Sequence, residues 1–114
     1  MGFCAVMAVI PPDKEEAVVT AAKGAGATGA TVIEARGTGV KEALSFFGLV
    51  LEGRYTCILS LVDEAQVDAV LAAVTAAADM QAPGNGIAFA MPVTRIAGME
   101  SQLSAPGKKP PGAV

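Results

Sequence analysis

Residues 26–39 read GATGATVIEARGTG. Glycines open the stretch, a two-residue alternation occupies its middle, and Arg-Gly-Thr-Gly closes it. Residues 30–36 predict a strand with Thr31, Ile33 and Ala35 on one face and Val32, Glu34 and Arg36 on the other. The half-polar second face predicts a strand near a sheet edge or an interface. The closing glycines leave two readings open, a binding loop fed by a strand or a plain turn, and the surrounding elements bear on the choice.

Upstream, GFCAVMAVI at 2–10 is an apolar run stopped by Pro11-Pro12, short enough for a central strand. Pro12 suits a first helical turn, and Asp13, Glu15 and Glu16 suit a helix N-terminus electrostatically. Val18, Ala21, Ala22 and Ala25 recur at helical spacing. Gly24 and Gly26 then end that helix. Downstream, RYTCILSLV at 54–62 predicts a third strand. DEAQVDAVLAAVTAAADM at 63–80 is the strongest helix, with Asp63 as its cap, Gln66 completing a capping box, and Val67, Val70, Leu71, Val74 and Ala78 on one stripe. A turn, QAPGNG, leads into a fourth strand, IAFAMPV, at 87–93.

The order is strand, helix, strand, strand, helix, strand. That order predicts an α+β fold of the ferredoxin-like βαββαβ kind, with a four-stranded antiparallel sheet and both helices on one face. Met7, Val9, Ile58 and Leu61 cannot all point at the helices, so the second sheet face needs a cover. Further copies of the chain are the simplest cover. The domain is expected over residues 1–99. Residues 100–114, rich in proline and glycine at their end, are expected to form a flexible tail.

Composition narrows function. The 114 residues suit one domain; 53% are hydrophobic, largely alanine, with no Trp and one Tyr. A net charge of −3 and sparse lysines argue against a nucleic-acid surface. The absence of histidine removes the commonest general base and zinc ligand. Cys4 and Cys57 form no metal or redox spacing and read as small buried strand residues of a reducing compartment. No carboxylate pair or nucleophile–base motif stands out, so an enzyme and a metal site are not expected. No stretch is long enough for a membrane span and no leader is evident, so a cytoplasmic protein is expected. Tyr55 reads as a packed aromatic of the third strand.

Three segments carry a family likeness: IPPDK at 10–14, GATGATVIEARGTG at 26–39 and GNGIAFAMPVTRI at 84–96. Through them the chain resembles the PII signalling proteins, trimeric regulators of nitrogen and carbon metabolism, over roughly residues 4–97. The resemblance implies a homotrimer with sheets inward and a small-molecule effector in clefts between subunits. It also implies a long loop after the second strand that reaches a partner, such as a membrane transporter or a metabolic enzyme. Gly29 and Thr31 would then flank the wall for an adenine. Gly37, Thr38 and Gly39 would form the loop root near the phosphates, and Gly84, Asn85 and Gly86 would match the family's Gly-Asp-Gly element. Arg95 would supply the C-terminal cation.

Departures bear on the ligand. Ile87 stands where members usually carry lysine, Val40 and Lys41 follow Gly39 where a glutamine is usual, and one arginine replaces a pair. An apolar Ile87 lacks the charged donors a triphosphate favours. Strong binding of ATP with magnesium is therefore not expected; a less charged nucleotide, a small anion such as bicarbonate, or no ligand is, with AMP, ADP and ATP as the candidate nucleotides. Replacing Gly86 with a bulkier residue is expected to block the ligand and leave the assembly intact. In the loop, Leu44, Phe46, Phe47, Leu49, Val50 and Leu51 are too apolar for an idle arm. They pack on the body or form a docking patch, with Phe46, Phe47, Leu49 and Leu51 as its centre, which would place the protein peripherally at a membrane through its partner. The copper-tolerance trimers share the fold, but the missing histidine argues against them. A ligand-free structural or adaptor protein remains the alternative, its glycines serving turns only.

Overall fold

A computed structural model of the chain describes residues 2–37 and 53–98. Thr38, Gly39, the apolar residues Phe46, Phe47, Leu49 and Leu51, and the tail at 100–114 lie outside the described residues.

The elements run β1 (Phe3–Ile10), a 3-10 turn (Pro12–Lys14), α1 (Glu15–Gly24), β2 (Thr31–Gly37), β3 (Gly53–Asp63), a second 3-10 turn (Glu64–Gln66), α2 (Val67–Ala78) and β4 (Ile87–Val93). The sheet order is β2-β3-β1-β4 and every pairing is antiparallel. This is the ferredoxin-like arrangement, with β1 and β2 parallel but separated by β3, and β3 and β4 parallel but separated by β1. Crossovers of one hand bring α1 and α2 together on one sheet face.

Local chemistry sets the element ends. Pro12 starts a 3-10 turn, in which the Lys14 N–H donates to Pro11 O at 3.0 Å, and the α-helix begins only at Glu15. At the other end of α1 the Ala27 N–H reaches back to Ala22 O at 3.0 Å and the Gly26 N–H to Lys23 O at 3.3 Å. Those two bonds, with Gly26 at φ +128°, close the helix in a Schellman motif. Asp63 acts as the expected cap, its Oδ1 accepting from the Ala65 N–H at 3.0 Å, but what it caps is again a 3-10 turn. Gln66 lies against Gly26, where an added Cβ would come within 2.9 Å of its Oε1.

The Schellman closure of α2 uses an unusual residue. The Met80 N–H donates to Thr75 O at 3.1 Å while Asp79 adopts φ 53°, a left-handed conformation that costs most L-residues roughly 1 kcal/mol. Its carboxylate also sits at the negative end of the helix. Asp79→Gly is therefore expected to stabilise the fold by about 1 kcal/mol, since lost strain and lost repulsion outweigh glycine's extra chain entropy. Urea unfolding measures this directly, and a lower midpoint for the variant would contradict the strain account.

The core lies between helices and sheet. Val6, Ala8 and Ile10 of β1 and Ile58 and Val62 of β3 meet Val18 and Ala22 of α1 and Val70, Val74 and Ala78 of α2, all buried. α1 rests on β3, and α2 on β1 and β4. β2 is an edge strand with β3 as its main neighbour, which explains its half-polar helix-side face: Val32 on that side is 43% exposed, and Glu34 and Arg36 are exposed too.

The opposite sheet face has no cover within the chain. Register places Ala5, Met7 and Val9 beside Leu61, Leu59 and Cys57 on one side and Met91, Phe89 and Ile87 on the other. Ile33 and Ala35 continue the layer opposite Cys57 and Tyr55. Ile33, Phe89 and Met91 are about two-fifths exposed, at 42%, 39% and 41%. Of the residues expected to compete for the helices, Ile58 faces them, while Met7, Val9 and Leu61 face away. Cys4 and Cys57, on neighbouring strands but opposite faces, are free and half-buried rather than fully buried. Among the described residues no helix is long and apolar enough to cross a membrane, and no cluster of His, Cys, Asp and Glu could hold a metal ion.

Candidate functional site

The candidate residues fall in three places. Gly37 ends β2 opposite Gly53, at the root of the segment linking β2 to β3. Gly84, Asn85 and Gly86 precede β4, and Ile87 pairs with Val9 at the same end of the sheet. Gly29 and Thr31 lie at the far end of β2, where Thr31 opposes Leu59. Arg95 follows Val93, which pairs with Phe3 at the opposite end from Ile87.

One chain does not bring these groups together. β2 and β4 are the two edges of the sheet, so Gly37 and Gly86 are separated by three strand spacings, roughly 14 Å. Arg95 lies two residues past Val93, which is itself about 20 Å along the strand from Ile87. A cleft using both glycine elements, or either of them with Arg95, has to be shared between copies.

The glycines differ in what they offer. Gly84 has φ +84° and nothing within 4 Å of the place a Cβ would take, and Gly29 is likewise open. Both leave room for close approach of a ligand to the backbone. Gly86 does not: it is buried, has φ +107°, and a Cβ there would land on the Val9 carbonyl oxygen and lie 3.1 Å from Ile10 Cα. Its glycine is required by the seating of the turn on β1. The expectation that a bulkier residue at 86 would block a ligand without disturbing the assembly is therefore corrected: such a residue displaces backbone inside the chain.

Asn85 also has local work. Its Nδ2 donates to Asp79 O at 3.0 Å, and its N–H donates to Ala82 O at 3.2 Å, tying the turn to the end of α2. Neither bond involves the two flanking glycines. Ile87 is half-buried on the open sheet face beside Val9, so the wall next to the turn is apolar. Position 87 therefore offers no charged donor beside the turn.

A separate cleft of about 480 Å³ lies on the helix side at the same sheet end, lined by Pro12 and Glu15 above and by Glu34, Arg36, Arg54 and Thr56 below. Sequence reading missed it. Arg54 stands eighteen positions after Arg36 in the chain, and only the strand register makes them direct cross-strand partners.

The model of the family described as "Nitrogen regulatory protein P-II" matches residues 3–101. Among solved structures, a crystal structure of Arabidopsis thaliana PII bound to citrate is similar, with 26% identity, a TM-score of 0.63, and coverage of 81% of this chain and 78% of that one. No curated protein matches.

Proposed function

The chain belongs to the nitrogen regulatory protein P-II family, and on that premise we propose that it assembles as a homotrimer, binds a small anionic effector between copies, and so changes its grip on a partner protein. The family is regulatory and non-catalytic, its members often bind adenine nucleotides, and they generally act as oligomers on partners, typically in the cytoplasm. The effector class is an adenine nucleotide of low charge or bicarbonate. The partner is a transporter or a metabolic enzyme, reached by the segment after Gly37 with Phe46, Phe47, Leu49 and Leu51 as contacts.

The observation that carries this reading is the uncovered apolar sheet face combined with glycine elements on opposite sheet edges. Covering the face with copies of the chain is also what would bring Gly37 of one copy toward Gly84 of its neighbour. Backbone N–H groups there would hold the anion, and the wall near Gly29 and Thr31 would take an adenine. The ligand of the Arabidopsis relative, citrate, is itself a small anion.

A second reading has its own support. Gly86 is explained by packing against Val9, and Asn85 by the turn it closes, so a ligand-free structural or adaptor protein would use both residues as they stand. Thermal shift separates the readings, because a ligand that binds only the folded form raises the melting temperature. AMP, ADP, ATP, cyclic nucleotides and bicarbonate should be compared on the parent chain and on Ile87→Lys. The parent should respond to at least one, and the lysine should improve ATP binding about tenfold, the value of a charge-assisted hydrogen bond of roughly 1.5 kcal/mol. No response from the parent at millimolar ligand, with no gain from the lysine, would favour the ligand-free reading.

A further inference from the structure

The helix-side cleft holds both signs of charge in separate places. Arg36 and Arg54 are direct cross-strand partners and share the helix-side face with Glu34 and Thr56, the next pair inward. Like charges placed opposite each other on neighbouring strands are destabilising unless something lies between them. Among the described residues neither guanidinium is paired with a carboxylate. Glu34, one pair inward from the arginines, and Glu15, from the first turn of α1, line the same cleft and supply its anionic charge. Glu15 has a local role at the helix N-terminus, but Glu34 has none on its strand.

This arrangement disfavours simple ions. A plain anion between the arginines would sit beside two carboxylates, and a plain cation beside the carboxylates would face two guanidiniums. A molecule bearing both charges satisfies both poles. We propose that this cleft is a second binding site, for a small zwitterion of the α-amino acid class, with its carboxylate between Arg36 and Arg54 and its ammonium toward Glu34 and Glu15.

The dimensions agree. Diagonal neighbours on adjacent strands lie roughly 7–8 Å apart. An α-amino acid with a hydrogen bond of about 2.8 Å at each end spans about the same distance. Guanidinium forks grip a carboxylate through paired N–H donors, and an ammonium has three donors for carboxylate acceptors. The cleft volume of about 480 Å³ leaves room for the ligand's own side chain.

The test uses the full chain and three probes matched in size: L-alanine, propionate, which lacks the ammonium, and ethylamine, which lacks the carboxylate. Backbone amide NMR at constant ionic strength should show saturable shifts at residues 34–36 and 54–56 with L-alanine. Propionate and ethylamine should bind at least about tenfold more weakly, a difference of roughly 1.4 kcal/mol. Arg54→Gln and Glu34→Gln change exposed side chains, so their melting temperatures should match the parent, while L-alanine affinity falls at least about tenfold in each. Absence of a saturable shift with L-alanine overturns the proposal. So does propionate binding as well as L-alanine, which would mean a plain anion pocket. Unchanged affinity in either variant also overturns it. The amides of Gly84 and Ile87 report on the cleft between copies separately, so failure of one site leaves the other readable.

Discussion

Phe89→Asp is expected to sediment as a monomer at concentrations where the parent chain forms the proposed trimer. Phe89 lies midway along the edge strand β4 on the open sheet face, beside Met7 of β1, is 39% exposed in the single chain, and makes little contribution to the core under the helices. The substitution should therefore spare the isolated fold more than the assembly. In the assembly it would carry a carboxylate into an apolar layer of Met7, Leu59 and Met91, at a cost of about 3 kcal/mol or more per copy. With three copies in the proposed trimer, and every 1.4 kcal/mol about tenfold in affinity, a micromolar assembly should disappear. Thr20→Asp, exposed on the outer side of α1, is the control and should leave sedimentation unchanged. A Phe89→Asp protein that remains trimeric would mean that the open face is not the interface.

The other large effect lies inside the chain. Gly86→Ala is expected to lower stability by about 3 kcal/mol or more, from a left-handed backbone worth roughly 1–2 kcal/mol and a Cβ forced into the Val9 carbonyl. For a domain of this size such a loss lowers the melting temperature by more than about 10 °C. Gly84→Ala supplies the comparison. It shares the positive φ but meets nothing within 4 Å, so only the backbone term applies and the loss should stay at roughly 1–2 kcal/mol. Differential scanning calorimetry on the pair settles whether the difference comes from the contact with β1; equal losses would remove that contact as the cause. The comparison also clarifies ligand studies, because Gly84→Ala tests backbone approach by an anion without dismantling the turn.

Much of the fold was legible because its signals are local. Gly26 ends α1 as expected, Asp63 caps the turn before α2, and β4 occupies the stretch 87–93 read from its apolar run. The polar alternation of β2 announced an edge strand, and the edge is where the helices leave Glu34 and Arg36 uncovered. The starts of the helices were less legible. Both open with 3-10 turns, and propensity does not distinguish a tight first turn from an α-helical one. The left-handed Asp79 escaped notice for a related reason, since the usual marker of that conformation is glycine.

The candidate site divides along the same line. Glycine-rich stretches beside strands could be picked out by composition, and Gly29 and Gly84 do stand open. Composition could not tell Gly84 from Gly86, two residues apart and both at positive φ, because the difference lies in the Val9 carbonyl some seventy-seven positions away in the chain. Nor could it set Arg36 against Arg54.

By itself, then, the sequence determined which segments are helix and strand, their order, and through that order the ferredoxin-like architecture. Helical and two-residue periodicities, caps and breakers act over a few residues, and a chain carries that information locally. Tertiary structure alone decided the rest: which face of the continuously apolar β1 meets the helices, which glycine is filled by backbone and which is open, and which charges become neighbours. Those outcomes depend on strand register, which is set by how residues distant along the chain pack together, and a shift of one residue would turn every side chain of a strand to the other face.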